Sequence, residues 1–257
     1  MEFSRIKNIL IVILLILNAL LAVNISTTHD FGSSMSKEER KNITALFEKD
    51  GVTLQPECLK GKSDYLPMLQ IVVSDSAADT FMHTIDTELQ SVSLGKVQGV
   101  ENKNLRVFHT DDLTYRIEIF DADAAKINTI LKNAGITLNA EKTIMNPQII
   151  DGYPVLNAMS RLQKTDTELT IETRWILETK ELPSPKAALS PFSLLVSFAL
   201  LNREENLGVT SIKSYTFQYY IAESSLGGYV LTPTMQLHCD NGDFLLDAVT
   251  GMRIGET

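Results

Sequence analysis

Cysteine, tryptophan and positive charge are all scarce in this chain of 257 residues. It holds two cysteines, Cys58 and Cys239, and one tryptophan. Two thiols cannot build the multi-bridge framework that stabilises small secreted domains. Lysine and arginine number 23 against 32 aspartates and glutamates, a net charge of −9. That balance argues against a nucleic-acid binder, whose affinity comes from neutralising phosphates. Also missing are G-x-S-x-G, H-E-x-x-H, the phosphate-binding P-loop and G-x-G-x-x-G, the local signatures of several hydrolase, metallopeptidase, nucleotide and dinucleotide sites. What is present, 44% hydrophobic and 21% charged residues, is an ordinary globular balance. It excludes collagen-like, low-complexity and wholly disordered chains, and the length allows one large domain or two small ones.

One long apolar run dominates the N-terminus. Ile9 to Ile25 contains no charged residue, and Asn18 and Asn24 are its strongly polar members. As a helix these residues span about 25 Å; starting at Ile6 brings the length to that of a hydrocarbon core, with Lys7 snorkelling to the headgroups. A cleaved secretory signal is the competing reading. Cleavage after Ala22 would put Leu20 where a small residue belongs, which favours a retained anchor. Arg5 and Lys7 precede the run and the next basic residue is Lys37. The positive-inside rule therefore keeps residues 1–5 in the cytoplasm and exports everything after the anchor, 6–25. Residues 26–36 read as a tether. The next most apolar stretch, Pro191 to Leu201, is too short to span and reads as a core helix capped by Ser190.

The exported part reads as α+β, with helices packed beside antiparallel strands. Ser36-Lys37-Glu38-Glu39 is a capping box, and Ile43, Leu46 and Phe47 follow at helical spacing until Asp50-Gly51. Further helices are expected over 77–89 and 124–133. Strands are expected over 69–73, 105–109, 115–120, 169–177, 209–221, 229–238 and 244–249, the last two joined across Asn241-Gly242. Residues 43–54 align without gaps on 127–138, each a helix, a glycine and a strand start. The expected division is two tandem domains, 37–144 and 145–257.

Chemistry is sparse. His29, His83, His109 and His238 show no metal-ligand spacing. Asp111-Asp112 and Asp121/Asp123 suit a turn and a helix start better than an acid–base pair. Glu204-Glu205 reads as a solvated face. Cys58 and Cys239 could form one long-range disulfide or stay reduced, according to the compartment. Tyr215, Tyr219 and Tyr220 are either an interaction face or half-buried strand aromatics. No catalytic residue, metal or cofactor is expected.

The opening Met1-Glu-Phe-Ser-Arg5-Ile-Lys7-Asn-Ile9 leading into Leu17-Asn18-Ala19-Leu-Leu21 resembles the start of YycI-type proteins. The second half agrees in Tyr153-Pro154-Val155-Leu-Asn157, in the 185–202 helix and in Ile212-Lys-Ser-Tyr-Thr-Phe-Gln-Tyr-Tyr220. So does the ending, Leu231-Thr-Pro233 and then Asp240-Asn-Gly242-Asp-Phe244-Leu-Leu-Asp247, which is also similar to a PepSY-like strand–turn–strand. Where relatives tend to place an aromatic after the proline, this chain has Thr234-Met235. The resemblance implies a non-enzymatic, membrane-anchored regulator of a WalK (YycG) type sensor histidine kinase, partnered by a companion YycH-type protein. Partner contact is then expected within the membrane, where polar groups seek partners and small residues permit close approach, at Asn18 with Ala19 and Ala22. Asn18 could equally be tolerated near the outer interface.

Overall fold

The computed structural model describes residues 34–60, 65–86, 88–94, 97–120, 124–138, 146–158, 161–165, 167–182, 186–225 and 227–255. The expected anchor with Asn18, Ala19 and Ala22, most of the tether, and Asp121 and Asp123 lie outside them. Among the described residues no helix is long and apolar enough to cross a membrane.

The chain runs through α1 (Lys37–Lys49), β1 (Thr53–Leu54), a 3₁₀ turn (Pro56–Leu59), β2 (Leu69–Ile71) and α2 (Asp75–Ile85). Two hairpins follow, β3 (Gln90–Leu94) with β4 (Val97–Glu101), and β5 (Leu105–Asp111) with β6 (Thr114–Phe120). After α3 (Ala124–Asn133) come β7 (Ile149–Ile150), β8 (Tyr153–Pro154), β9 (Arg161–Lys164), β10 (Glu168–Arg174) and β11 (Thr179–Glu181). The last part is α4 (Pro191–Glu204), β12 (Ser211–Glu223), β13 (Tyr229–Cys239) and β14 (Asp243–Asp247). The architecture is mixed α+β with antiparallel sheets and four helices among the described residues. One short parallel pair, β1 with β12, departs from that pattern.

Two sheets build two cores. The first has the order β1–β12–β13–β2–β11, with β14 also on β13; the second runs β3–β4–β5–β6–β10–β9. Around the first sheet pack Ile43 and Phe47 of α1, Leu194, Leu195 and Phe198 of α4, and Leu231, Met235, Leu237 and Leu246 of the strands. Around the second pack Met82 and Ile85 of α2, Ile130 and Leu131 of α3, and Leu105, Val107, Ile117, Ile119 and Ile171. Each such side chain taken from water contributes about 1.5–3 kcal/mol.

The expected tandem boundary at 144/145 does not separate these cores. Residues 35–71 belong with α4 and β12–β14, whereas β10 pairs along β6. The chain enters the second unit after β2 and leaves it for good before β11. Those two strands lie side by side, with the Val72 amide donating to the Glu178 carbonyl at 3.0 Å beyond their ladder. Between them the chain returns to the first core around Val155, which bridges β12 at Tyr219; Val155 and Ala158 are buried there. An insertion of this kind leaves no local mark in composition, because the pairing partners are remote in sequence.

Local rules explain most element ends. Ser36 Oγ accepts the Glu39 amide at 3.1 Å, and the Glu39 carboxylate accepts the Ser36 amide at 2.7 Å, which completes the capping box. Gly51, at φ 74°, ends α1: its amide donates to the Glu48 carbonyl and the Val52 amide reaches back to Phe47. Gly135, at φ 71°, ends α3 through the same two bonds, to Lys132 and from Ile136 to Leu131. The aligned segments 43–54 and 127–138 therefore share one Schellman stop, with Phe47–Val52 and Leu131–Ile136 as its buried apolar pairs.

α2 is shorter than the expected 77–89. Asp86 is extended at φ −154°, its carboxylate accepts the Glu88 amide and the Asn102 side chain, and these bonds compete with another helical turn. Pro233 sits in the middle of β13 at no cost to the ladder. On its outer edge β13 pairs with β2 at residues 229–231 and with β14 at 234–238. Pro233, without a donor, falls in the gap, and its carbonyl accepts the Ala248 amide at 2.8 Å.

The two units interlock at the tip of the β5–β6 hairpin. Leu113, a turn residue of the second sheet, is 5% exposed inside the first core. The Trp175 amide donates to its carbonyl at 2.8 Å. Two side-chain amides act as extra strand neighbours nearby. Gln148 donates to the Ile176 carbonyl and accepts its amide, and Asn157 does the same for Ile221.

Candidate functional site

Alternation along β12–β14 gives the first sheet one apolar and one polar face. Toward the core point Tyr219, Ile221, Leu231, Met235 and Leu246. The opposite face carries Gln218, Tyr220, Thr232, Thr234, Gln236, His238 and Asp243, placed there by the register Gln218↔Thr234, Tyr220↔Thr232 and His238↔Asp243. Gln218 and Thr234 are buried polar groups, so they need partners. Thr234 Oγ1 donates to the Gln218 carbonyl at 3.1 Å, and Gln218 Nε2 donates to Gln236 Oε1 at 3.0 Å. Gln236 Nε2 donates to Asp243 Oδ2 at 2.8 Å, and Asp243 Oδ1 meets His238 Nδ1 at 3.0 Å.

This ladder borders an open concavity of about 280 Å³. Tyr220, Gln236 and Asp243 supply polar floor groups; Leu156, Phe244 and Ile254 supply apolar walls. Arg253 closes one rim, its guanidinium 5.3 Å above the Phe244 ring and 3.3 Å from the Glu205 carboxylate. Apolar walls with a few convergent polar groups are what a small binding site needs, although the volume falls just below the usual range of about 300–1,000 Å³. The arrangement suits recognition of a polar segment of a ligand or partner.

Ser214, His238 and Asp243 share this face in one row across β12, β13 and β14. The carboxylate orients the imidazole, yet among the described residues the hydrogen bonds of His238 do not include one with Ser214. The row thus holds an oriented base without an engaged nucleophile. Sequence reading missed it, since Ser214 and Asp243 meet His238 only through strand register.

The tyrosines expected as one stripe part company. Tyr219 is fully buried, its hydroxyl donating to the Pro67 carbonyl at 3.1 Å and its ring edge-on to Tyr153 at 6.3 Å. Burial, with Asp151 nearby, pushes its phenol well above the usual value. Tyr215 packs beside Phe217 on the core side, and Tyr220 alone faces the concavity. His83 is exposed, His109 stacks on Tyr115 at 4.9 Å, and Asp111 Oδ1 accepts the Asp112 amide as a turn former does. Glu205 pairs with Arg253 while Glu204 is solvated. Among the described residues no three His, Cys, Asp or Glu side chains are grouped to hold a metal.

Cys58 and Cys239, 181 positions apart in sequence, come to the same place. Cys239 is the cross-strand partner of Ile212, and the Cys58 thiol donates to the Ile212 carbonyl at 3.5 Å. Both are buried, and the structure shows no bond between them. Burial pushes Cys58 up to about 11. Burial, then the Asp240 and Asp243 carboxylates and the Cys58 thiol, push Cys239 up to about 12.

No family model and no curated protein matches the sequence. Among solved structures, the chain is similar to an uncharacterized protein from Eubacterium rectale, with a TM-score of 0.40 and 10% identity, over 85% of this chain and 99% of that one. It is also similar to the C-terminal domain of YpeB from Bacillus megaterium, with a TM-score of 0.33 and 14% identity, over 72% of this chain and 96% of that domain. At such scores neither likeness fixes a fold or a function for this chain.

Proposed function

We propose that this chain is a non-enzymatic, membrane-anchored extracytoplasmic regulator of a WalK (YycG) type sensor histidine kinase in a two-component system controlling cell-wall metabolism. The observation that carries this reading is the uncharged run from Ile9 to Ile25, with Arg5 and Lys7 before it and a folded body beginning at Lys37 after it. In this reading the message passes laterally, by contact with the kinase and with a companion YycH-type protein. Within the membrane Asn18 is the polar contact, with Ala19 and Ala22 allowing close approach; one such bond is worth about 1 kcal/mol, or about fivefold in association.

Asn18→Leu in the full-length chain tests the contact. Kinase recovered with the tagged chain should fall about fivefold while the chain stays in the membrane fraction. Undiminished recovery overturns the helix contact, and mature chains beginning beyond Ala22 overturn the anchor.

The polar concavity favours a second reading, a PepSY-like envelope module that binds a ligand or inhibits a protease through the exported sheet. The order helix, then three antiparallel strands, in α4–β12–β13–β14 supports it. Replacing 6–25 by an unrelated membrane helix separates the two. The regulator loses its kinase, whereas the module keeps its activity.

A further inference from the structure

We propose that Cys58 and Cys239 form a disulfide acceptor site, joined by exchange with a small-molecule or protein disulfide, so that the first and last segments of the first core become tied across β12. The site is built by two hydrogen bonds and one strand pairing around Ile212. The Gln55 amide donates to the Ile212 carbonyl at 3.0 Å, which seats the 3₁₀ turn on the β1 side of β12. The Cys58 thiol donates to the same carbonyl at 3.5 Å. From the other side, the β12–β13 register sets Cys239 opposite Ile212, where paired residues stand about 5 Å apart and share a face. Cys58 is 0% exposed and Cys239 is 4% exposed, both in the first core.

A bond needs the two Cα atoms within about 7 Å with their Cβ vectors converging. Cys58 gives up only a weak S–H bond to turn toward Cys239, because the Gln55 amide continues to satisfy the Ile212 carbonyl. The exchange balances as two displacements. The Cys58 thiolate attacks one sulfur of the oxidant, expelling the first thiolate and leaving a mixed disulfide. The Cys239 thiolate then attacks the Cys58 sulfur, expels the second thiolate and closes the Cys58–Cys239 bond. Two electrons pass to the oxidant, and the two protons released by the cysteines end on its two thiols.

Burial raises both thiols far above neutrality, so the thiolate fraction is small and exchange is slow. Its rate should rise about tenfold per pH unit through the neutral range. This is the behaviour of a structural staple. The inference stands on the thiol pair and is independent of the kinase contact proposed above.

The test exposes the full-length chain, reduced and in detergent, to oxidised glutathione in mildly alkaline buffer. The chain is then quenched in acid, unfolded, alkylated and weighed. The expected product has lost two hydrogens, takes no alkyl group, and yields one peptide pair linking Cys58 to Cys239. Its thermal midpoint should rise by about 5 °C or more, since the closed loop is long. Cys58→Ser and Cys239→Ser should each carry a single glutathione and show no such rise. Two separately glutathionylated cysteines in the wild type would overturn the proposal. So would two alkylated cysteines after an exposure that oxidises the urea-unfolded chain completely.

Discussion

Leu113→Ala tests whether the two units form one cooperative body. Leu113 occupies a hairpin turn, a place usually left to polar residues, yet it is 5% exposed inside the core of the other sheet. The substitution removes three buried carbons; at about 0.8 kcal/mol each the transfer loss is about 2.4 kcal/mol. A cavity that collapses only in part brings the total to about 3 kcal/mol. The assay is urea unfolding of the full-length chain in detergent, followed by the fluorescence of Trp175 and by far-ultraviolet circular dichroism. Trp175, the one tryptophan of the chain, reports the junction itself, because its amide donates to the Leu113 carbonyl. In the wild type both signals should share one transition. In Leu113→Ala the fluorescence transition should move to lower urea by an amount equal to about 3 kcal/mol, at unchanged slope. Leu105→Ala, at the base of the same hairpin and fully buried in the second core, serves as the comparison. A loss below about 1 kcal/mol for Leu113→Ala, against a full core loss for Leu105→Ala, refutes the interlock.

Tyr219→Phe removes the hydroxyl bonded to Pro67 and leaves that carbonyl facing an apolar ring, so unfolding by urea should show a loss of about 1–2 kcal/mol. A neutral result means that the bond is exchanged for another partner. Asp240 governs part of the acid limb. The Thr210 hydroxyl, with the Ser211 and Thr210 amides, holds its carboxyl down to about 2, below the unfolded value of about 3.9. Its contribution is complete above about pH 4 and is lost as the pH falls toward 2. Thermal midpoints of Asp240→Asn and wild type should therefore converge in that window; a constant gap counts against the assignment.

Legibility followed range. The capping box at Ser36, the Ser190–Pro191 helix start and the Asn241-Gly242 hairpin are local devices, and each lies where a reading of four to eight residues puts it. So do α3 and the β5–β6 and β13–β14 pairs. The polar β3–β4 hairpin was illegible, because Gln90-Ser-Val-Ser-Leu and Val97-Gln-Gly-Val-Glu show little hydrophobic contrast. The insertion was illegible for another reason: β1 and β2 find their partners more than a hundred residues away. The concavity shares that property. Its floor groups come from three strands, and nothing about Tyr220 or Gln236 alone separates them from ordinary strand residues. Tyr219 and Tyr220 are adjacent in sequence and face opposite sides of the sheet, which a stripe of aromatics conceals.

Ile43 and Phe47 are made early, but Leu194, Phe198 and Leu246, against which they pack, emerge some 150 to 200 residues later. At synthesis rates of about 5–20 residues per second the first helix waits roughly ten seconds or more for its core. During that interval its apolar stripe has no native cover, while the intervening second unit already has its own strands and helices at hand. The middle of the chain can therefore close its own core before the two ends close theirs, and a chain stopped short of α4 would leave its opening helix without the helix it packs against.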